Sequence, residues 1–164
     1  MVERRLSTDE EARALASSVR VRILRVCREP HTNKEIAETL GVDPATMLHH
    51  VRRLVDTGFL VAQPVRRGTR GAREIPYLAT GKSWQLSSPG AGPVMLDVFL
   101  EEVALVPAAD VDTSRLGLRL PPEQFEEFRD RMQTLLDEFA DRPEDPTAPA
   151  WSVFLAMHPD PNRK

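Results

Sequence analysis

The stretch GVDPATMLHHVRRLVDTGFL, Gly41 to Leu60, gathers most of the side chains in this chain that could do chemistry. His49 and His50 are adjacent, Arg52 and Arg53 are adjacent, and Thr46 supplies a hydroxyl. Neighbouring histidines raise a metal site first. On a helix, however, residues i and i+1 point about 100° apart and do not face each other, so one ion cannot readily take both rings. His31 and His158 lie in unrelated segments without ligand spacing. The lone cysteine, Cys27, excludes an intramolecular disulfide and any multi-cysteine metal site. Its helical spacing from Ile23 and Leu24 marks it as a small buried hydrophobe rather than a reactive thiolate. No metal and no cofactor is expected. The carboxylates Glu101, Glu102, Asp110 and Asp112 have no Ser/His/Asp order, phosphate loop or ligand cluster beside them. They read as solvated charges, and enzymatic activity is not expected.

Recognition by charge and shape remains, and it needs elements that hold these side chains outward. Thr32 and Glu35 have capping-box spacing, and Ile36, Ala37 and Leu40 form the apolar face of a short helix. Gly41 can take the left-handed conformation that stops that helix, and Val42 pins the turn to the core. Asp43 is a good N-cap and Pro44 suits the first helical position. A helix over 44–57 then turns Met47, Val51, Leu54 and Val55 inward. Two short helices joined through such a turn form a helix-turn-helix. The outward residues are Ala45, Thr46, Leu48, His49, Arg52 and Arg53. Small, hydroxylated and cationic side chains of this kind suit a DNA major groove, where arginine reaches guanine edges or phosphates and Ala45 or Leu48 meets a thymine methyl. Thr32 and Asn33, at the head of the preceding helix, join the expected contacts. His50 serves either the DNA face or the helix scaffold.

After Gly58 the period becomes extended. FLVAQPV and EIPYLAT read as strands around RRGTRGAR, a hairpin whose tip carries Arg66, Arg67, Arg70 and Arg73. Those arginines form either a solvated loop or a wing resting on phosphates and the minor groove. Upstream, Ser7 and Glu10 have capping-box spacing for a helix over 8–16. A second helix carries Val19, Ile23, Val26 and Cys27 on one stripe until Pro30. Charge follows the same division. Residues 1–90 hold 15 Lys and Arg against 10 Asp and Glu, and residues 91–164 hold 7 against 15. A basic half joined to an acidic half suggests that only the first meets a polyanion.

Residues from about Ala14 to Leu78 resemble the winged-helix repressors of the ArsR family. The matching runs are ALASSVRVRIL, TNKEIAETLGVDPATMLHHVRRLVDTGFL and RRGTRGAREIPYL. His50 matches the family histidine and Val51 its leucine, whereas Leu48 replaces a serine that often contacts DNA. Metal-responsive members carry a Cys-x-Cys pair before the turn, and Lys34 to Leu40 has no cysteine. The resemblance therefore implies double-stranded DNA binding without thiolate metal sensing. The later part is similar to a C-terminal extension found on actinobacterial regulators of this general type.

The expected fold is α+β: a winged helix-turn-helix domain over 1–86, a linker over 87–93 (SSPGAGP), and a small α/β C-terminal module over 94–164 with two long helices. The module contains a helix over 94–107, an alternating strand over 115–120, an amphipathic helix from the prolines at 121–122 to Arg142, and a closing strand over 151–158. It reads as a dimerisation or effector part, with Leu96, Phe99, Leu100 and Val103 as the dimerisation stripe. Trp84, Trp151, Phe154 and Met157 form either core or the lining of a pocket for an unidentified small molecule. The N-terminus turns acidic where a signal peptide would be apolar, and no apolar run reaches the ~20 residues of a membrane helix. A cytoplasmic location without membrane contact is expected. The resulting function is a homodimeric repressor reading a palindrome. The alternative is a winged-helix module for protein–protein contact without sequence-specific DNA binding.

Overall fold

The computed structural model describes residues 4–68 and 71–162. They fall into two compact units, one over Arg4–Leu105 and one comprising the residues from Val106 onward.

In the first unit, β1 (Arg5–Leu6) leads into α1 (Asp9–Leu15) and α2 (Ser18–Val26). Next come β2 (His31–Thr32), α3 (Asn33–Leu40) and α4 (Pro44–Asp56). Four short strands follow: β3 (Leu60–Ala62), β4 (Arg66–Arg67), β5 (Arg73–Glu74) and β6 (Pro76–Ala79). The unit closes with β7 (Leu86–Ser87) and α5 (Gly92–Val103). The strands β2, β6 and β3 make one antiparallel sheet with β6 central, and β4 pairs with β5 farther out on the same hairpin. Three helices ahead of a hairpin whose sheet also takes in β2 make a winged helix.

The core is where the apolar periods converge. Ile36 and Ala37 of α3 meet Met47, Val51 and Leu54 of α4, together with Ile23 of α2, Cys27 at the cap of α2, and Ala14 and Leu15 of α1. Phe59 and Leu60, just past the end of α4, seal the cluster and tie the hairpin to it. Burial pushes the Cys27 thiol up to about 12, so it acts as the small hydrophobe expected of it.

Three expectations shift. The first cap lies one residue later than predicted. Ser7 donates its N–H to the Ser87 carbonyl at 3.0 Å, extending the parallel pairing of β1 with β7. The box is therefore made by Thr8 and Glu11, with the Thr8 N–H on Glu11 Oε2 at 2.8 Å.

Second, the stretch 87–93 does not behave as a linker. Ser87 is in a strand, Ala91 is buried at the end of a 3-10 turn, and Pro93 sits in the first turn of α5. That helix packs on α2: Val98 is buried, Arg22 pairs with Glu101, and Arg25 grips Glu102 through two bonds of 3.0 Å. The first unit thus runs to Leu105, and the glycines and prolines there shape turns within it.

Third, in the second unit the described residues form α6 (Pro122–Ala140), a 3-10 turn at Ala108–Asp110 and irregular chain. Segments 115–120 and 151–158 are not strands: neither takes part in a β-ladder among the described residues. An alternating pattern supplies a face but no ladder.

Phe59 is among the largest side chains wholly withdrawn from solvent in this unit. Phe59→Ala should cost about 3–5 kcal/mol. Urea unfolding followed by far-UV circular dichroism checks this, and a loss under ~1 kcal/mol would show that the core does not close on Phe59.

Candidate nucleic-acid interface

The geometry starts from the turn. Gly41 adopts φ 63° and ψ 32°, and the Val42 N–H returns to the Ala37 carbonyl at 3.0 Å. Asp43 then begins α4 by accepting the N–H groups of Ala45 and Thr46 on Oδ1 at 2.9 and 3.2 Å. Asn33 Nδ2 donates to the Pro44 carbonyl at 2.9 Å and ties the head of α3 to the head of α4. Thr32 is buried and caps α3 through Glu35. Thr32 and Asn33, expected among DNA contacts, are thus engaged in placing the two helices. The positive end of α4 is thus answered by Asp43.

On that face Ala45, Thr46, His49 and Arg52 are exposed, and Leu48 is half-buried. Arg52 makes no ion pair among the described residues. Arg53 differs: its Nη1 reaches Glu10 Oε1 at 2.9 Å, holding α4 against α1. His50 is also half-buried, with Nδ1 shielded and without a hydrogen-bond partner. Burial foremost, then the charge of Arg20 and then His49, pushes the His50 pKa down and favours the neutral ring. Among the described residues no group of three His, Cys, Asp or Glu could hold a metal ion.

Sequence reasoning missed Arg20. Its guanidinium donates to the Ala14 and Arg13 carbonyls, each at 2.6 Å, and closes the end of α1 beside His50 and Arg53. An arginine five residues past a helix end was the available signal.

The wing divides the same way. Arg66 is clamped: it pairs with Glu35 of α3 and donates to Glu74 Oε2 at 3.3 Å. Glu35 uses its other oxygen to accept the Thr32 N–H at 2.7 Å, so one carboxylate caps α3 and latches the wing to it. Its backbone and side-chain bonds to Thr32, followed by Arg66, hold the Glu35 carboxyl below the usual range. Arg67 and Arg73 are exposed and stand opposite each other in the β4–β5 register. Like charges facing across a strand pair are destabilising, so this pair costs the free protein stability that a nearby polyanion would return. Arg70 falls outside the described residues.

The aromatic side chains expected as a pocket lining are accounted for separately. Trp84 lies under the Arg4 guanidinium, 4.2 Å from the ring centre, and Trp151 is largely exposed. Of the expected dimerisation stripe, Leu96 and Leu100 are exposed, and Phe99 and Val103 are half-buried.

Residues 15–67 match a family model described as a helix-turn-helix domain. No curated protein matches the chain. Among solved structures, Lactococcus lactis ZitR is 20% identical over 78% of this chain and 86% of its own, with a TM-score of 0.36. The heme sensor protein PefR from Streptococcus agalactiae is 16% identical over 81% and 80%, with a TM-score of 0.37. A MarR transcriptional regulator from Methanosarcina mazei is 17% identical over 75% and 76%, with a TM-score of 0.36. At scores this low the fold assignment rests on the winged-helix geometry and the helix-turn-helix match.

The double role of Glu35 can be separated. Glu35→Ala removes cap and latch and should cost about 1–2 kcal/mol at neutral pH. Glu35→Gln keeps a capping side chain and should cost under ~1 kcal/mol. A depressed carboxyl pKa stabilises the fold above the unfolded value near ~4.3 and ceases to do so as pH falls through the folded value. Thermal melts at pH 7 and in acid should therefore show the wild-type advantage over Glu35→Gln shrinking in acid. An advantage that grows in acid would contradict the latch.

Proposed function

We propose that this chain is a sequence-specific DNA-binding transcriptional regulator that reads the major groove with α4 and rests its wing on the phosphate backbone. The observation that carries the reading is the arrangement of the arginines that make no ion pair among the described residues. Arg52 on α4 and the facing pair Arg67 and Arg73 on the wing are exposed, whereas Arg53 and Arg66 are held by carboxylates. Phosphate neutralisation supplies most non-specific affinity, and arginine and histidine beside small residues on a helix supply base-edge contacts. The helix-turn-helix match over residues 15–67 supports the same reading.

The finer description is a homodimeric repressor of ArsR-like type. Its support is the sequence resemblance together with the exposed Leu96 and Leu100 on α5, which belong to the proposed dimerisation stripe. Two copies of α4 about 34 Å apart would read a palindrome on one face of the duplex. No helix among the described residues is long and apolar enough to cross a membrane.

The experiment is fluorescence anisotropy with the DNA upstream of the protein's own coding region, competed with scrambled duplex across a salt series. A preference of ~10³ or more for the upstream duplex is expected. His49→Ala and Arg52→Ala should each weaken that duplex by about 1–3 kcal/mol and leave scrambled DNA little changed. Arg67→Ala should weaken both alike and lower the salt slope by about 1. Arg53→Ala and Arg66→Ala should act chiefly through stability. Equal binding of both duplexes would favour the protein–protein module instead. Equal loss on both duplexes for every variant would remove the division between base and phosphate contacts.

A further inference from the structure

The second unit is built inside out. No apolar side chain among residues 106–162 is buried, and the one buried residue is a carboxylate, Asp137, which accepts a bond from Gln133 at 2.8 Å. The covered side of α6 thus carries an acid. Its opposite side carries Phe125, Phe128, Met132, Leu135 and Phe139, spaced three, four, three and four apart. That is the a/d spacing of a helix–helix seam. Phe125, Leu135 and Phe139 are 39%, 48% and 55% exposed, and Trp151 and Val153 are 81% and 77% exposed. The exposed parts of these five side chains come to on the order of 600 Å², counted at ~150–250 Å² per large side chain. A stable interface needs about 800 Å² from each side. Monomers rarely expose apolar patches beyond about 300–600 Å².

We propose that a second copy of this chain covers this face, with the two α6 helices packed antiparallel about a two-fold axis. This rests on the dimeric reading above and moves its seam from the α5 stripe to α6. Charge selects both occupant and direction. With Met132 at a and Leu135 at d, the residues flanking the seam are Gln124, Arg131 and Glu138 on one side and Arg129 and Leu136 on the other. In an antiparallel pair Met132 faces Leu135 of the second copy, Phe128 faces its Phe139, and Arg131 lies beside its Glu138, twice over. A parallel pair would put Arg131 beside Leu136 and match no charges. In the single chain, Arg131 pairs with Glu127 at 3.4 Å and Glu138 with Arg142 at 2.8 Å. These are exposed i,i+4 pairs that exchange at little cost. The charges that flank the apolar face are therefore self-complementary in sign, and pairing would cover the apolar side chains that the unit leaves exposed.

Sedimentation equilibrium on the full chain tests this. The wild type should be a dimer at low micromolar concentration, and Leu135→Glu should weaken the dimer by ~100-fold or more, since it sets two unpaired carboxylates in the seam. The charge exchange guards against a merely misfolded variant. Arg131→Glu and Glu138→Arg should each weaken association by about 3–10-fold, and the double variant should restore it. A wild type that stays monomeric to about 100 μM, or a double variant weaker than both single ones, would overturn the pairing. So would a dimer that Leu100→Glu breaks and Leu135→Glu spares, an outcome that leaves the dimeric reading intact and moves the interface to α5. A monomer that still prefers its own upstream duplex would overturn the pairing and leave the DNA reading standing. A dimer that binds no duplex would support the pairing and remove the DNA reading.

Discussion

Gly41 turns the chain at φ 63°, and the relation between α3 and α4 depends on that turn. A side chain with a Cβ rarely adopts this conformation. Around it the sequence places groups that leave the two helices little freedom: Val42 folds back on Ala37, Asp43 caps the next helix, and Asn33 bridges to Pro44. Once the angle is set, Ile36 and Ala37 meet Met47, Val51 and Leu54 in the core. The outward face of α4 follows from that burial. His49 and Arg52 are exposed because Met47, Val51 and Leu54, at helical spacing, are not.

Carboxylates hold the pieces around this centre. Glu11 is the deepest of them: it accepts Arg5 at 2.6 and 2.8 Å and Lys82 at 2.7 Å, and Lys82 also donates to the Thr57 carbonyl at the end of α4 at 2.6 Å. The bonds from Arg5 and Lys82 push its pKa far below the usual carboxylate range. Glu35 does for the wing what Glu11 does for the N-terminal strand, and Glu10 holds Arg53. The acids of this half thus sort its arginines into those that build the fold, such as Arg53 and Arg66, and those such as Arg52, Arg67 and Arg73 that stay exposed.

Much of the first unit was legible because its rules are local. Thr32 with Glu35, Gly41, and Asp43 with Pro44 each declare a boundary by chemistry that acts within four residues. Where reading failed, the deciding partner was distant. Nothing near Ser7 reveals that Ser87 takes its N–H and moves the cap to Thr8. Nothing near Glu101 and Glu102 reveals that Arg22 and Arg25 draw α5 onto the first unit. Arg53 and Arg66 looked like DNA ligands on their own segments, and only tertiary structure brings Glu10 and Glu35 to them. In segments 115–120 and 151–158 alternation was visible, yet a strand needs a hydrogen-bonding neighbour that alternation does not supply.

The account turns on one surface, the exposed side of α4 together with Arg67 and Arg73. Amide chemical-shift mapping of the full chain, titrated with a short duplex from its own upstream region, examines that surface residue by residue. The account predicts perturbations centred on Ala45, Thr46, His49, Arg52, Arg67 and Arg73, with little change along α5. Perturbation confined to α5 or α2, or none at saturating duplex, would contradict it.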